Sequence, residues 1–154
     1  VKYDVPAALV RRFAALNYVD MVRGQTNGYE DAHIEKAALA AEVTGVLKGI
    51  VSIKFTGAAK AVQKGRWSVR GHEAPQPTDQ ERGYDFKIVG RASFDSAKNR
   101  FTSFELAAVG PRWGGSQYNR RENDLAPAPM GVVIKLADEG DKVAPSGIWR
   151  YGWR

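Results

Sequence analysis

The sequence predicts a mainly β (α+β) domain, with an antiparallel, barrel-like or strongly curved sheet of about six to eight strands and one N-terminal amphipathic helix. Three observations carry this prediction. Apolar residues alternate with polar ones over long stretches in the middle of the chain, as on strands with one buried face. Segments rich in Gly, Pro, Asn and Asp separate these stretches at short intervals. One early segment alone repeats its apolar residues at helical spacing. Alternation argues against a parallel sheet, whose strands are apolar on both faces.

The elements follow in chain order. Val5 to Leu16 reads as helix, with Asp4 as its cap and Pro6 in the first turn, where a missing N–H does no harm. Leu9, Val10, Phe13 and Leu16 form its apolar side, opposite Arg11 and Arg12. Asn17 to Arg23 fits a helical extension or a strand, and Gly24, Asn27 and Gly28 end it. Ile34 to Val43 is Ala-rich, as a helix would be. Its alternation and its position before the next strand favour a strand, turning at Thr44-Gly45.

Ile50 to Val62 alternates strictly, with Val51, Ile53, Phe55, Gly57, Ala59 and Ala61 on one side. Arg66 to Arg70 reads as a short strand and Gly71 to Gly83 as a polar loop. Tyr84 to Asp95 alternates again through Phe86, Ile88, Gly90, Ala92 and Phe94. Ser96 to Asn99 is a four-residue turn, and Phe101 to Val109 returns. Gln117 to Arg121 fits another strand. Met130 to Leu136 is the last clear one, and Trp149, Tyr151 and Trp153 alternate at the end.

A chain of 154 residues suits one domain. It has no cysteine, which excludes disulfides, thiolate metal sites and cysteine nucleophiles. No apolar run is long enough for a membrane helix. The chain starts at Val1, as an exported bacterial protein without its signal peptide would, and as a trimmed fragment would; the expectation leans to export. The formal net charge is +6, which suits anionic partners. The basic residues are scattered rather than striped, so nucleic acid is disfavoured.

No sequence motif for nucleotide binding, metal-dependent hydrolysis or a serine nucleophile is present. His33 and His72 lack further ligands at metal-binding spacing, and neither a metal nor a cofactor is expected. Asp20 and Glu105 each lie between apolar residues, which on a strand simply turns them to water. Activity as an enzyme is therefore disfavoured.

Two features point to binding instead. Aromatic and arginine residues recur together in the second half, at Trp113, Tyr118, Arg120, Arg121, Trp149, Arg150, Tyr151 and Trp153. Such sets suit protein hot spots, a second copy of the chain, or stacking on an anionic polymer. Small residues at Gly57, Ala59, Gly90, Ala92 and Ala108 fall on apolar strand faces. They leave room for the helix or for a small hydrophobic ligand. The sequence thus favours a non-enzymatic binding or assembly module contacting a protein or anionic polymer. The alternatives are a barrel holding a small hydrophobic ligand and an enzyme with a site at the barrel mouth.

Overall fold

The computed structural model describes residues 1–25, 27–69, 76–121 and 123–141. Six antiparallel strands form one sheet: β1 (Lys2–Asp4), β2 (Ile34–Leu47), β3 (Ile50–Trp67), β4 (Thr78–Asp95), β5 (Arg100–Trp113) and β6 (Ala128–Lys135). Their order in the sheet is their order in the chain. The helix α1 (Ala7–Leu16) follows β1 and lies across the sheet, with most of its contacts to β2.

The sheet is neither closed nor strongly curled, which corrects the barrel-like expectation. Closure requires the first and last strands to pair, and among the described residues β1 pairs with β2 alone and β6 with β5 alone.

Alternation decides which side of each strand is buried. The inner face carries Leu39, Phe55, Ala59, Tyr84, Phe86, Ile88, Leu106 and Ala108, all buried. The outer face carries Lys54, Lys87, Arg91 and other exposed residues, with exposed valines at 89, 109 and 133. Ile34–Leu47 is a strand despite its alanines. Its long ladder with β3 overrides the helical propensity of isolated Ala residues.

Several boundaries move. Asp4 does not cap the helix. It pairs with Ala40 in the ladder, and Pro6 takes the cap position without a side-chain hydrogen bond. The buried stripe of α1 is Val10 and Ala14, with Phe13 packed beside it, while Leu9 is largely exposed. The β2–β3 turn comes at Lys48-Gly49, later than Thr44-Gly45. Both turn residues have positive φ, 48° and 80°, as a two-residue hairpin turn demands. At Gly45 the ladder instead shifts register. β3 runs on through Trp67, taking in the start of the separate strand expected at Arg66 to Arg70, and β4 starts inside the expected loop. Gln117 to Arg121 is turn rather than strand. The terminal strand expected around Trp149 to Trp153 lies outside the described residues.

Tyr84 joins helix and sheet. Its ring stacks on Phe86 at 4.5 Å and meets Tyr18 and Tyr29 edge-on. Its hydroxyl donates to Ala14 O at 2.6 Å, satisfying a carbonyl in the last turn of α1. The aromatic edge contacts contribute about 0.5–1.5 kcal/mol each beyond area burial.

Two expected outcomes follow from this packing. A Cβ at Gly90 would collide with Leu106 Cδ2 and with the Glu105 carbonyl. Gly90→Val therefore lowers stability by about 1–3 kcal/mol through overpacking, read as a reduced urea midpoint. Burial raises the pKa of Tyr18 to about 12 and pushes that of Tyr84 upward too. A raised folded-state value means stability is intact below the unfolded value near pH 10 and declines as pH rises beyond it. Alkaline titration should show these tyrosines ionising together with cooperative loss of structure. Tyrosinate absorbance that rises before any loss of near-UV circular dichroism would contradict this.

Candidate functional site

The inner face changes character at one end. Along β4 it runs from Ile88 through Phe86 and Tyr84 to Arg82; along β5 it runs from Leu106 through Ala108 to Arg112. Arg112 pairs with Tyr84 in the ladder. Both arginines are buried, as is Arg23 from the 3-10 turn that precedes Gly24. Gly24, at φ 75°, lets that turn end in the left-handed region.

Two carboxylates neutralise part of this charge. Asp20 caps the turn, accepting from Arg23 N at 3.0 Å and, through its other oxygen, from Arg23 Nε. Arg112 Nε lies 3.5 Å from the same oxygen. Arg112 Nη2 donates to both oxygens of Asp124 at 2.7 Å, and its Nη1 donates to Ala126 O at 3.0 Å. Arg23 Nη1 donates to the backbone carbonyl of Asp124. The hydrogen bond from Arg112 holds the Asp124 pKa below the usual carboxylate range. Asp20 is thus buried between guanidinium groups and does not face water, which corrects the strand-based reading.

Arg82 differs. Its Nε donates to Gln63 Oε1 at 2.6 Å, and Nη1 and Nη2 donate to the carbonyls of Asn27 and Gly28 at 3.0 and 2.7 Å. Its guanidinium lies 4.4 Å from the centroid of the Tyr29 ring. Among the described residues no carboxylate lies within ion-pair distance of it. Desolvation lowers its pKa, as expected for a buried cation without a countercharge.

The segment after β5 folds over these groups. Trp67 Nε1 donates to Gly115 O at 2.7 Å, Ser116 N to Gln25 Oε1 at 3.2 Å, and Arg120 N to Arg23 O at 2.9 Å. Asn119 is buried, and its Oδ1 has no hydrogen-bond partner among the described residues. Between this segment and the sheet lies a cavity of about 190 Å³ lined by Asn27, Gln63, Trp67, Arg82, Ser116 and Gln117. Among the described residues its lining holds one cation and no acid. A wider depression of about 910 Å³ lies along β5 and the chain after β6. It mixes Arg91, Arg100 and Lys135 with Glu105, Asp138 and Glu139, so its lining offers no selective charge.

The structure brings together part of the sequence-based set. Tyr118, Arg120 and Arg121 share the exposed segment, and Arg121 is close enough to Asp124 to help lower its pKa. Trp113 sits on the other face of β5 from Arg112. Its indole covers Gly83, where a Cβ would collide with it, and donates to Glu81 Oε1 at 2.9 Å. Trp149, Arg150, Tyr151 and Trp153 lie outside the described residues, as does His72. His33 Nδ1 accepts from Glu30 N at 3.2 Å, and Glu105 pairs with Arg91 at 3.3 Å.

The small residues Gly57, Ala59, Gly90, Ala92 and Ala108 lie on the inner face. Leu39 leans onto Gly57 and Leu106 onto Gly90. Ala59, Ala92 and Ala108 are buried in the core that includes Val10 and Ala14 of the helix.

Arg82, Arg23 and Asp20 were absent from the sequence-based site. A signal for Arg82 existed: the period of two in β4 continues one step upstream of Tyr84 and lands on an arginine. Comparison with protein-family models, with curated proteins and with solved structures finds no match.

The Asp124 pairing has a pH consequence. Its pKa is depressed in the folded state, so its contribution is present above the unfolded-state value near pH 4 and is lost as pH falls through the folded value. The urea midpoint should drop on acidification below about pH 4, and Asp124→Asn should flatten that dependence while lowering the midpoint at pH 7.

Proposed function

We propose that this chain is a non-enzymatic binding module that contacts an anionic polymer through the arginine-rich end of its sheet. The observation that carries the reading is the imbalance of charge there among the described residues. Arg23 and Arg112 pair with Asp20 and Asp124, Arg121 lies close enough to Asp124 to help lower its pKa, Arg120 N donates to Arg23 O, and Arg82 has no carboxylate partner among the described residues. The buried pairs fix the segment between Gly114 and Asp124, and that segment presents Arg120, Arg121 and Tyr118 to solvent.

A surface of this kind suits a polyanion. Exposed guanidinium groups attract it over a Debye length of about 8–10 Å, and a neighbouring tyrosine offers a stacking face. Because Arg120 and Arg121 ride on a pinned segment, less chain entropy is lost on binding than for a free loop. A contact with an acidic protein surface would use the same groups. The hydrophobic-ligand reading has less support, because Leu39, Leu106 and the helix occupy the space over the small residues.

Retention on immobilised polyanion tests the proposal. The protein should bind alginate or heparin at low salt and elute as salt rises. The double variant Arg120→Ala, Arg121→Ala should elute at clearly lower salt with unchanged thermal stability. Equal elution of variant and parent, or no retention on either polymer, would overturn the assignment.

A further inference from the structure

We infer that the cavity beside Arg82 is a subsite for a single carboxylate-bearing sugar unit, of the kind found along an acidic polysaccharide. This rests on the polyanion reading and names the chemistry that the arginine-rich end selects.

Charge gives the first argument. Arg82 is 3 % exposed. A cation removed from water this fully is normally paired, yet its described partners are two carbonyls, one amide and an aromatic ring. A guanidinium has five N–H donors. Three are used in those hydrogen bonds, which leaves two without a partner among the described residues. Arg82 also lines the cavity, so an anion there meets a preformed, already desolvated cation. The orientational cost has been met by folding.

The remaining lining narrows the ligand. With one cation and no acid among the described lining residues, the cavity compensates a monoanion and leaves a dianionic phosphate half-neutralised. A carboxylate matches the planar donors of arginine. Asn27, Gln63, Ser116 and Gln117 add neutral amide and hydroxyl groups, which suit ring hydroxyls as both donors and acceptors. Trp67 adds an aromatic surface for the ring. At about 190 Å³ the cavity is smaller than the roughly 300 Å³ at which sites for drug-sized ligands begin. One sugar ring is the scale that fits, with neighbouring units of a chain running out over Arg120 and Arg121.

The test uses the whole protein labelled with ¹⁵N and titrated with D-glucuronate, with D-glucose as the neutral control and D-glucose 6-phosphate as the dianionic one. The resonances followed are the Trp67 indole N–H and the Arg82 Nε–H. Glucuronate should shift both saturably, at least about tenfold more tightly than either control (a difference of about 1.4 kcal/mol). Gln117→Glu is the decisive variant, because Gln117 is exposed and the change is isosteric. It places a carboxylate at the cavity rim and should weaken glucuronate about tenfold or more without altering the fold. Arg82→Lys, which keeps the charge but loses the planar fork, should weaken it as well.

Equal shifts with glucose would overturn the proposal, as would tighter binding of the phosphate or indifference to Gln117→Glu. Failure here is separable from failure of the wider reading. If alginate is retained but glucuronate neither competes nor moves these resonances, the subsite is wrong and the polyanion surface stands. If glucuronate binds and no polymer does, the subsite stands and the polymer reading falls.

Discussion

A strand cannot turn one residue inward without turning inward every second residue along it. That constraint organises this molecule. Strand β4 must put Tyr84 and Phe86 under the helix, because they carry the ring contacts and the hydroxyl that hold α1. Arg82 then falls on the same face. Strand β5 answers in the same way, since Ala108 in the core and Arg112 beside Tyr84 share one side. The apolar core therefore runs directly into a cluster of cations, and the residues around it are arranged to accommodate them.

Much of that accommodation lies in the irregular segments. The 3-10 turn supplies Asp20 and Arg23, and the chain after β5 supplies Asp124 and the Ala126 carbonyl. Buried ion pairs of this type contribute little net stability relative to apolar packing, because desolvation offsets attraction. Their consequence is geometric: breaking one partner leaves an uncompensated buried charge, so the two segments are held in a single arrangement. Arg82 stands at the edge of this network with its hydrogen bonds partly made and its charge unanswered among the described residues.

Alternation made most of the sheet legible in the sequence. The strands at Phe55, Phe86 and Leu106 declared themselves because one face is buried and the other wet. Ile34 to Val43 could be read as strand in spite of its alanines, since its alternation and the segment that follows favour pairing; the strand itself runs on to Leu47. Closure could not be read, because whether the first and last strands meet depends on twist and strand length rather than on polarity. The site was harder still. Tyr118, Arg120 and Arg121 stood out by composition. Asp20 did not, because an acid between two apolar residues looks the same in sequence whether it faces solvent or a pair of guanidinium groups. Arg82 is hidden in the sequence because it falls within the polar loop read at Gly71 to Gly83, one step before the alternation that starts at Tyr84.

The neighbour-to-neighbour order of the sheet bears on how the chain reaches this state. Each long strand closes on the one before it, through two residues between β2 and β3 and four between β4 and β5. Loop-closure entropy grows with the logarithm of the length enclosed, so these hairpins form early and independently of the ends. The cationic end is different: Arg23 meets Asp124 across most of the chain. Closing it encloses a far longer loop than either hairpin does, so its entropy cost is the larger one. Local opening that breaks these long-range contacts would release the cationic end while the central hairpins persist.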